Sequence, residues 1–255
     1  MENQHATSTT VAKAFAILDM LASKGEGGAS LTEVSGHLGI SKSTAHRYLT
    51  TLEKLTVVER DQKDHFLLGL KLIELAGAFL DDHNLRNVSE PFLNELAART
   101  RETVHLAVPS ANEVVYVAKV DSSHSIRMAS RIGARMPMSC TSLGKAILAH
   151  YPSAQVEEIV REGLPARTPR TITSPQALHA ELERVRAQGF AIDDQENEMG
   201  VRCVGAPIFD YTARVVGAIS VSGPANRMSK ERSLELGPLV RDAALEISKR
   251  IGYPR

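Results

Sequence analysis

Between Val11 and Ala22 the apolar residues Val11, Ala14, Phe15, Ile17, Leu18 and Leu21 recur at steps of three and four, behind a Ser/Thr-rich lead. That spacing gathers them on one face and predicts an amphipathic helix, which the Gly-rich stretch from Lys24 to Gly28 breaks. A second helix is predicted from Leu31, with Leu31, Val34 and Leu38 inward and Gly39 as a left-handed stop. Ser41 then caps a third helix running to about Leu55. After it, Val57 to Arg60 alternates as a strand, Asp61 to Asp64 supplies a polar turn, and His65 to Gly69 returns as a second strand. The predicted order is helix, tight turn, capped helix, two-stranded wing.

Leu70, Leu72, Ile73, Ala76, Phe79 and Leu80 predict a helix leaving the wing, and the polar run Asp81 to Asn84 makes a join. The chain is accordingly divided into a first domain of residues 1–70, a linker helix of residues 71–87 and a second domain of residues 88–255. In the second domain helices are expected at Val88 to Thr100, Leu143 to His150, Ala154 to Glu162, Pro175 to Gln188 and Ser233 to Ile251. Strands are expected at Thr103 to Val108, Val114 to Val120, Ile126 to Ser130, Phe190 to Asp193, Gly205 to Phe209 and Val215 to Val221. Helices and strands mix without a crossover rhythm, so the fold class is α+β with an antiparallel sheet.

At 255 residues and 43% hydrophobic content the chain can bury a core in each of two domains. Thirty basic residues balance thirty acidic ones, which excludes a protein that coats nucleic acid by bulk charge and makes any such contact local. Two cysteines, Cys140 and Cys203, are too few for a disulfide framework and suit a reducing compartment. With no signal pattern and no run of about 18 apolar residues, a cytoplasmic protein away from membranes is expected.

Local cationic character appears where the third helix starts. Ser41, Lys42, Ser43, Thr44, His46 and Arg47 stand together with no carboxylate among them. Lys42 and Arg47 suit phosphate or guanine contacts, and the short hydroxyls permit close approach. Arg60 and Lys63, with His65, add positive charge on the wing. The same Ser-Lys-Ser-Thr run also reads as a plain helix cap, and the order of elements around it favours a DNA-reading helix. Farther on, Thr141-Ser142-Leu143-Gly144-Lys145 follows a loop and opens a helix, whose unpaired amides suit a small anion. Cys203 has no base at a readable spacing, which argues against catalysis, and His105, His124, Asp193 and Cys203 are too scattered for a metal set. No cofactor is expected.

The segments Val11 to Leu18, Ser41 to Leu49 and Phe66 to Gly69 resemble the DNA-binding half of the IclR-type bacterial transcription regulators. Gly133 to Met138, Thr141 to Ala146, Gly189 to Asp194, Gly200 to Asp210 and Ala218 to Pro224 are similar to that family's effector-domain motifs, in the same order along nearly the whole chain. The resemblance implies a winged helix-turn-helix joined to a GAF-like effector domain, a homodimer formed through the N-terminal half, and a dimer of dimers. It implies a partly palindromic double-stranded DNA operator. It places Ser142 and Leu143 where backbone amides meet an effector carboxylate, and Asp193, Cys203, Ser220 and Ser222 where side chains complete the pocket. Met128, Met136 and Met138 are expected on the ligand's apolar side, with core filling or an inter-subunit surface as the alternative. Ser142 and Leu143 stand where smaller residues are common, so a bulky effector is disfavoured and a small hydroxy, keto or sugar acid is expected. The function expected is a ligand-responsive repressor of a catabolic operon and not an enzyme. An activator, or a metabolite-binding module without DNA contact, are the alternatives.

Overall fold

The computed structural model describes residues 9–75, 85–125 and 128–254, and the chain divides into two units, Met1–Asp82 and His83–Arg255. In the first, helix α1 (Thr9–Lys24) is followed by a short 3-10 turn and by α2 (Leu31–Leu38). Ser30 caps α2: its hydroxyl accepts from the Glu33 amide while the Glu33 carboxylate accepts from the Ser30 amide, so two orphan donors are satisfied reciprocally. Gly39 ends the helix in the left-handed region at φ 61°, which glycine adopts without a Cβ penalty. Helix α3 (Lys42–Lys54) starts at Ser41, whose Oγ accepts from the Thr44 amide at 3.2 Å, as the sequence predicts. Ile17, Leu21, Val34, Ala45, Leu49 and Phe66 form the core of this unit.

Strands β1 (Val58–Arg60) and β2 (Phe66–Leu68) pair antiparallel as the wing, β1 shorter than expected by Val57 and β2 by one residue at each end. Asp61 closes their turn by accepting from the amides of Lys63 and His65, both at 2.8 Å. Residues 71–75 are helical, in line with the start of the predicted linker helix. The rest of that helix and the polar join at 81–84 lie outside the described residues.

In the second unit, α4 (Leu85–Thr100) begins three residues before the expected Val88. Six strands, β3 (Thr103–Ser110), β4 (Glu113–Val120), β5 (Arg135–Pro137), β6 (Ala191–Asp194), β7 (Val201–Phe209) and β8 (Val215–Pro224), form one antiparallel sheet in the order β5-β4-β3-β8-β7-β6. Helices α5 (Ser142–Leu148), α6 (Ser153–Glu162), α7 (Pro175–Gln188) and α8 (Lys230–Arg250) complete the unit. The strand expected at Ile126 to Ser130 is a correction. Residues 126 and 127 lie outside the described set, and 128–130 carry no strand. The carbonyls of Met128 and Ser130 are instead taken by the Lys119 ammonium, at 3.1 and 2.8 Å. The edge strand is β5, which pairs Met136 with Val114.

Strand alternation gives the sheet two cores. Val104, Leu106, Val204, Ile219 and Val221 pack with Leu93 and Leu96 of α4 and Val240, Ala244 and Ile247 of α8. On the opposite face Ala107, Ala191 and Ala218 pack with Leu143, Ala146 and Ile147 of α5 and Leu178 and Leu182 of α7. Small residues on that face let α5 lie close. A Cβ at Gly205 would stand 2.9 Å from the Ser142 carbonyl carbon, and one at Gly144 would stand 2.2 Å from the Met138 Cα, so both contacts require glycine.

Candidate functional site

Strand register assembles the polar part of a cavity. Asp193 of β6 pairs with Cys203 of β7, and Cys203 pairs with Ser222 of β8, so three polar side chains stand side by side on the α5 face of the sheet. One step along the same face, Ser220 pairs with His105 of β3. The start of α5 and the segment around Met128 close a cavity of about 320 Å³ over this row. Ser142, Leu143, Asp193, Cys203, Ser220, Ser222 and Met128, all picked out in the sequence, line it together. Met138 does not. It is 1% exposed and packs in the core beneath α5, where Gly144 lies against its backbone, so the core-filling reading holds for it. Met136 takes a place on the lining.

The start of α5 is wired for an acceptor. Thr141 Oγ1 accepts from the Gly144 amide at 3.1 Å and the Thr141 carbonyl from the Lys145 amide at 2.9 Å. The amides of Ser142 and Leu143 have no acceptor among the described residues. Lys145 anchors the helix from behind: fully buried, its ammonium donates to Glu181 at 2.9 Å, Glu196 at 2.5 Å and the Ile192 carbonyl at 2.6 Å. This network ties α5 to α7 and to the loop after β6, and a charge so enclosed persists only because three oxygens meet it.

Asp193 is 3% exposed, with Oδ1 accepting from the amides of Glu196 at 2.7 Å and Asn197 at 3.4 Å. Burial pushes its carboxyl up to about 7, with the Glu196 charge adding to the effect and the two amides and Lys145 opposing it. The carboxyl can therefore donate as well as accept near neutral pH. The neighbouring Asp194 points elsewhere and is held by Arg202 at 2.6 Å and Lys230 at 3.2 Å. Both thiols are kept protonated by burial, Cys140 with its pKa up at about 12 and Cys203 likewise raised, so neither is an activated nucleophile. Among the described residues no three of His, Cys, Asp and Glu cluster as a metal ion requires.

Among the lining groups that the sequence reading did not name as cavity residues are His105, Tyr116 and Ser130. The imidazole of His105 stacks on Tyr116 with 4.6 Å between centroids and 23° between planes. Its alternation within β3, in phase with Ser220 and Ser222, was the available signal, and reading it needs the strand pairing.

In the first unit α3 turns Ala45, Leu49 and Leu52 inward and leaves Ser41, Lys42, Ser43, His46 and Arg47 exposed, with Thr44 half-buried. Ser41 Oγ also meets Ser43 Oγ at 3.0 Å and Thr44 Oγ1 at 2.8 Å. Lys42 and Arg47 have no ion-pair partner among the described residues, and Lys63 stands exposed on the wing turn. Arg60 differs from expectation: it is paired with Asp64 at 2.8 Å and Glu53 at 3.5 Å and lies 4.6 Å over the Phe66 ring. Its charge is shared with two carboxylates, one on the wing turn and one on α3.

Among the described residues no helix is long and apolar enough to cross a membrane. Residues 10–62 match the family model described as the IclR helix-turn-helix domain, and residues 77–249 match the one described as Bacterial transcriptional regulator IclR C-terminal. The chain is 37% identical to the HTH-type transcriptional regulator KdgR of Escherichia coli (strain K12), over 99% of this chain and 96% of that one. It is 35% identical to the transcriptional repressor IclR of the same organism, over 90% and 85%. Among solved structures, that of the Thermotoga maritima IclR is 38% identical and superposes with a TM-score of 0.65, covering 96% of this chain and 99% of that one.

Proposed function

Since the chain belongs to the IclR family of DNA-binding transcription regulators, a family without enzymatic activity, we propose that it represses a catabolic operon in the cytoplasm and releases or tightens its operator on binding a small organic acid. The observation that carries the DNA-reading half is the outward face of α3, capped at Ser41 and free of carboxylates from Lys42 to Leu52. We assign Ser41, Lys42, Ser43, Thr44, His46 and Arg47 to operator contact, with Lys63 on the flanking backbone. Arg60 supports the wing through its pairing with Asp64.

For the effector, the free amides of Ser142 and Leu143 suit a carboxylate, while Asp193, Cys203, Ser220 and Ser222 offer a row of groups for hydroxyl and carbonyl oxygens. A volume near 320 Å³ suits a small hydroxy, keto or sugar acid. Repression is the sign favoured, because relatives at about the same identity are named repressors. A homodimer is supported by apolar side chains left in the open: Val11 and Phe15, one turn apart on α1, and Leu70 and Ile73 after the wing. Two recognition helices then require half-sites about one helical turn apart, on a partly palindromic operator. The segment following the wing is the natural carrier of the effector's bias between the units.

A thermal-shift screen of organic and sugar acids, followed by a gel shift on the DNA upstream of the chain's own gene with and without the hit, tests the proposal. A stabilising acid that alters a salt-sensitive shift is expected. Duplex binding that no acid affects would remove the sensing half, and no binding to duplex at all would remove the operator half.

A further inference from the structure

His105, which no part of the operator or effector reading uses, links Ser130 to Ser222 and Ser220 of the effector row in one hydrogen-bond chain. Its Nε2 is 2.6 Å from Ser130 Oγ, and its Nδ1 is 3.4 Å from Ser222 Oγ, which in turn is 3.4 Å from Ser220 Oγ. The ring is 1% exposed and sandwiched against Tyr116. Ser222 is on the sheet, whereas Ser130 belongs to the segment whose backbone carbonyls are held by Lys119. Burial, aided by the nearby Lys119 charge and opposed by Asp121, drops the imidazole pKa to about 3. At physiological pH it carries one proton.

A count of protons then limits what the chain can do. Ser130, neutral His105, Ser222 and Ser220 bring four N–H or O–H protons, and the three links of the chain consume three. One remains, and it leaves at one end only. If Nδ1 holds the ring proton, the order runs from Ser130 through the ring and Ser222 to Ser220, and the Ser220 hydroxyl is the outward donor. If Nε2 holds it, the order reverses: Ser220 donates to Ser222, Ser222 donates to the ring, and Ser130 is the outward donor. In that case Ser220 Oγ is left to accept.

We propose that His105 is a specificity-determining positioning residue of the effector cavity, whose tautomer decides whether Ser220 or Ser130 is presented to the effector as a donor. The two serines cannot both donate. An effector that places acceptor-only oxygens against both is rejected, and one that sets an acceptor against one serine and a hydroxyl against the other is matched. The selected ligand class is therefore an acid that carries both a donor and an acceptor oxygen, one for each serine. This rests on the cavity being the effector site.

The test uses the ligand-free full-length chain, with its histidines labelled with nitrogen-15, in solid-state NMR, the His105 signals being assigned by their loss in H105N. In the wild type at pH 7 one ring nitrogen is expected to be protonated and the other bare. A buried N–H without an acceptor costs about 1–3 kcal/mol, so the proton should stay on the nitrogen that keeps its serine. S130A is thus expected to favour Nδ1–H and S222A to favour Nε2–H, with tautomer ratios differing by about tenfold or more between the two variants. Thermal melting of both variants beside the wild type establishes that they are folded, and S222T, which keeps a hydroxyl, should restore the wild-type ratio. The same tautomer in S130A and S222A, or a doubly protonated ring in the wild type at pH 7, overturns the inference. Neither result bears on whether an acid binds, which the thermal-shift screen decides separately.

Discussion

Asp193 shows how one residue couples the cavity to pH. Its folded carboxyl titrates near 7, against about 4 for an unfolded aspartate. Between those values the folded chain holds a proton that the unfolded chain has lost. The contribution of this group to stability is therefore complete below about pH 4 and is lost as the pH rises through 7, at no more than about 1.4 kcal/mol per pH unit. D193N keeps an oxygen for the Glu196 amide and does not titrate. Thermal unfolding at pH 5 and pH 8 is expected to show a larger loss for the wild type than for D193N, and parallel profiles would contradict the assignment. On the other unit, Arg47 is exposed and has no ion-pair partner among the described residues. R47A should weaken operator binding and reduce the slope of log affinity against log salt by about one, as the loss of one phosphate contact requires. An unchanged slope with lower affinity would point to base contact instead.

At the level of elements, α5 can lie on the sheet only because Gly205 has no side chain under the Ser142–Leu143 peptide. G205A must push the helix start outward, which should cost about 1–3 kcal/mol in overpacking and abolish the acid-induced rise in melting temperature. Helix ends were a legible feature of the sequence: Ser41 caps where the pattern places it, and Gly39 stops its helix in the left-handed region. Those signals are local, carried by side chain and amide within three residues. The misplaced strand at Ile126 to Ser130 failed for the opposite reason, since its carbonyls answer to Lys119 on a neighbouring strand. The cavity divided the same way. Asp193, Cys203, Ser220 and Ser222 were named from motifs, whereas His105 and Ser130 enter it only through the pairing of β3 with β8 and the fold of the segment before β5. The pairing of Arg60 was not legible, because Glu53 reaches it only when the wing closes on α3.

For the whole molecule, the expected currency is a coupling free energy between effector and operator. A value of about 1–3 kcal/mol alters operator affinity some five- to a hundredfold, and by linkage the operator alters effector affinity by the same factor. Both directions are measurable on one chain, and inequality between them would indicate that the acid acts elsewhere. The most direct test is a fluorescence-anisotropy titration of the full-length chain on a duplex from upstream of its gene, with and without the acid that stabilises it, run in parallel with D193N. The account predicts that the acid shifts the wild-type midpoint at least fivefold and leaves D193N, which should bind the duplex normally, nearly unmoved. Equal midpoints with and without acid in the wild type, or an equal shift in D193N, would contradict it.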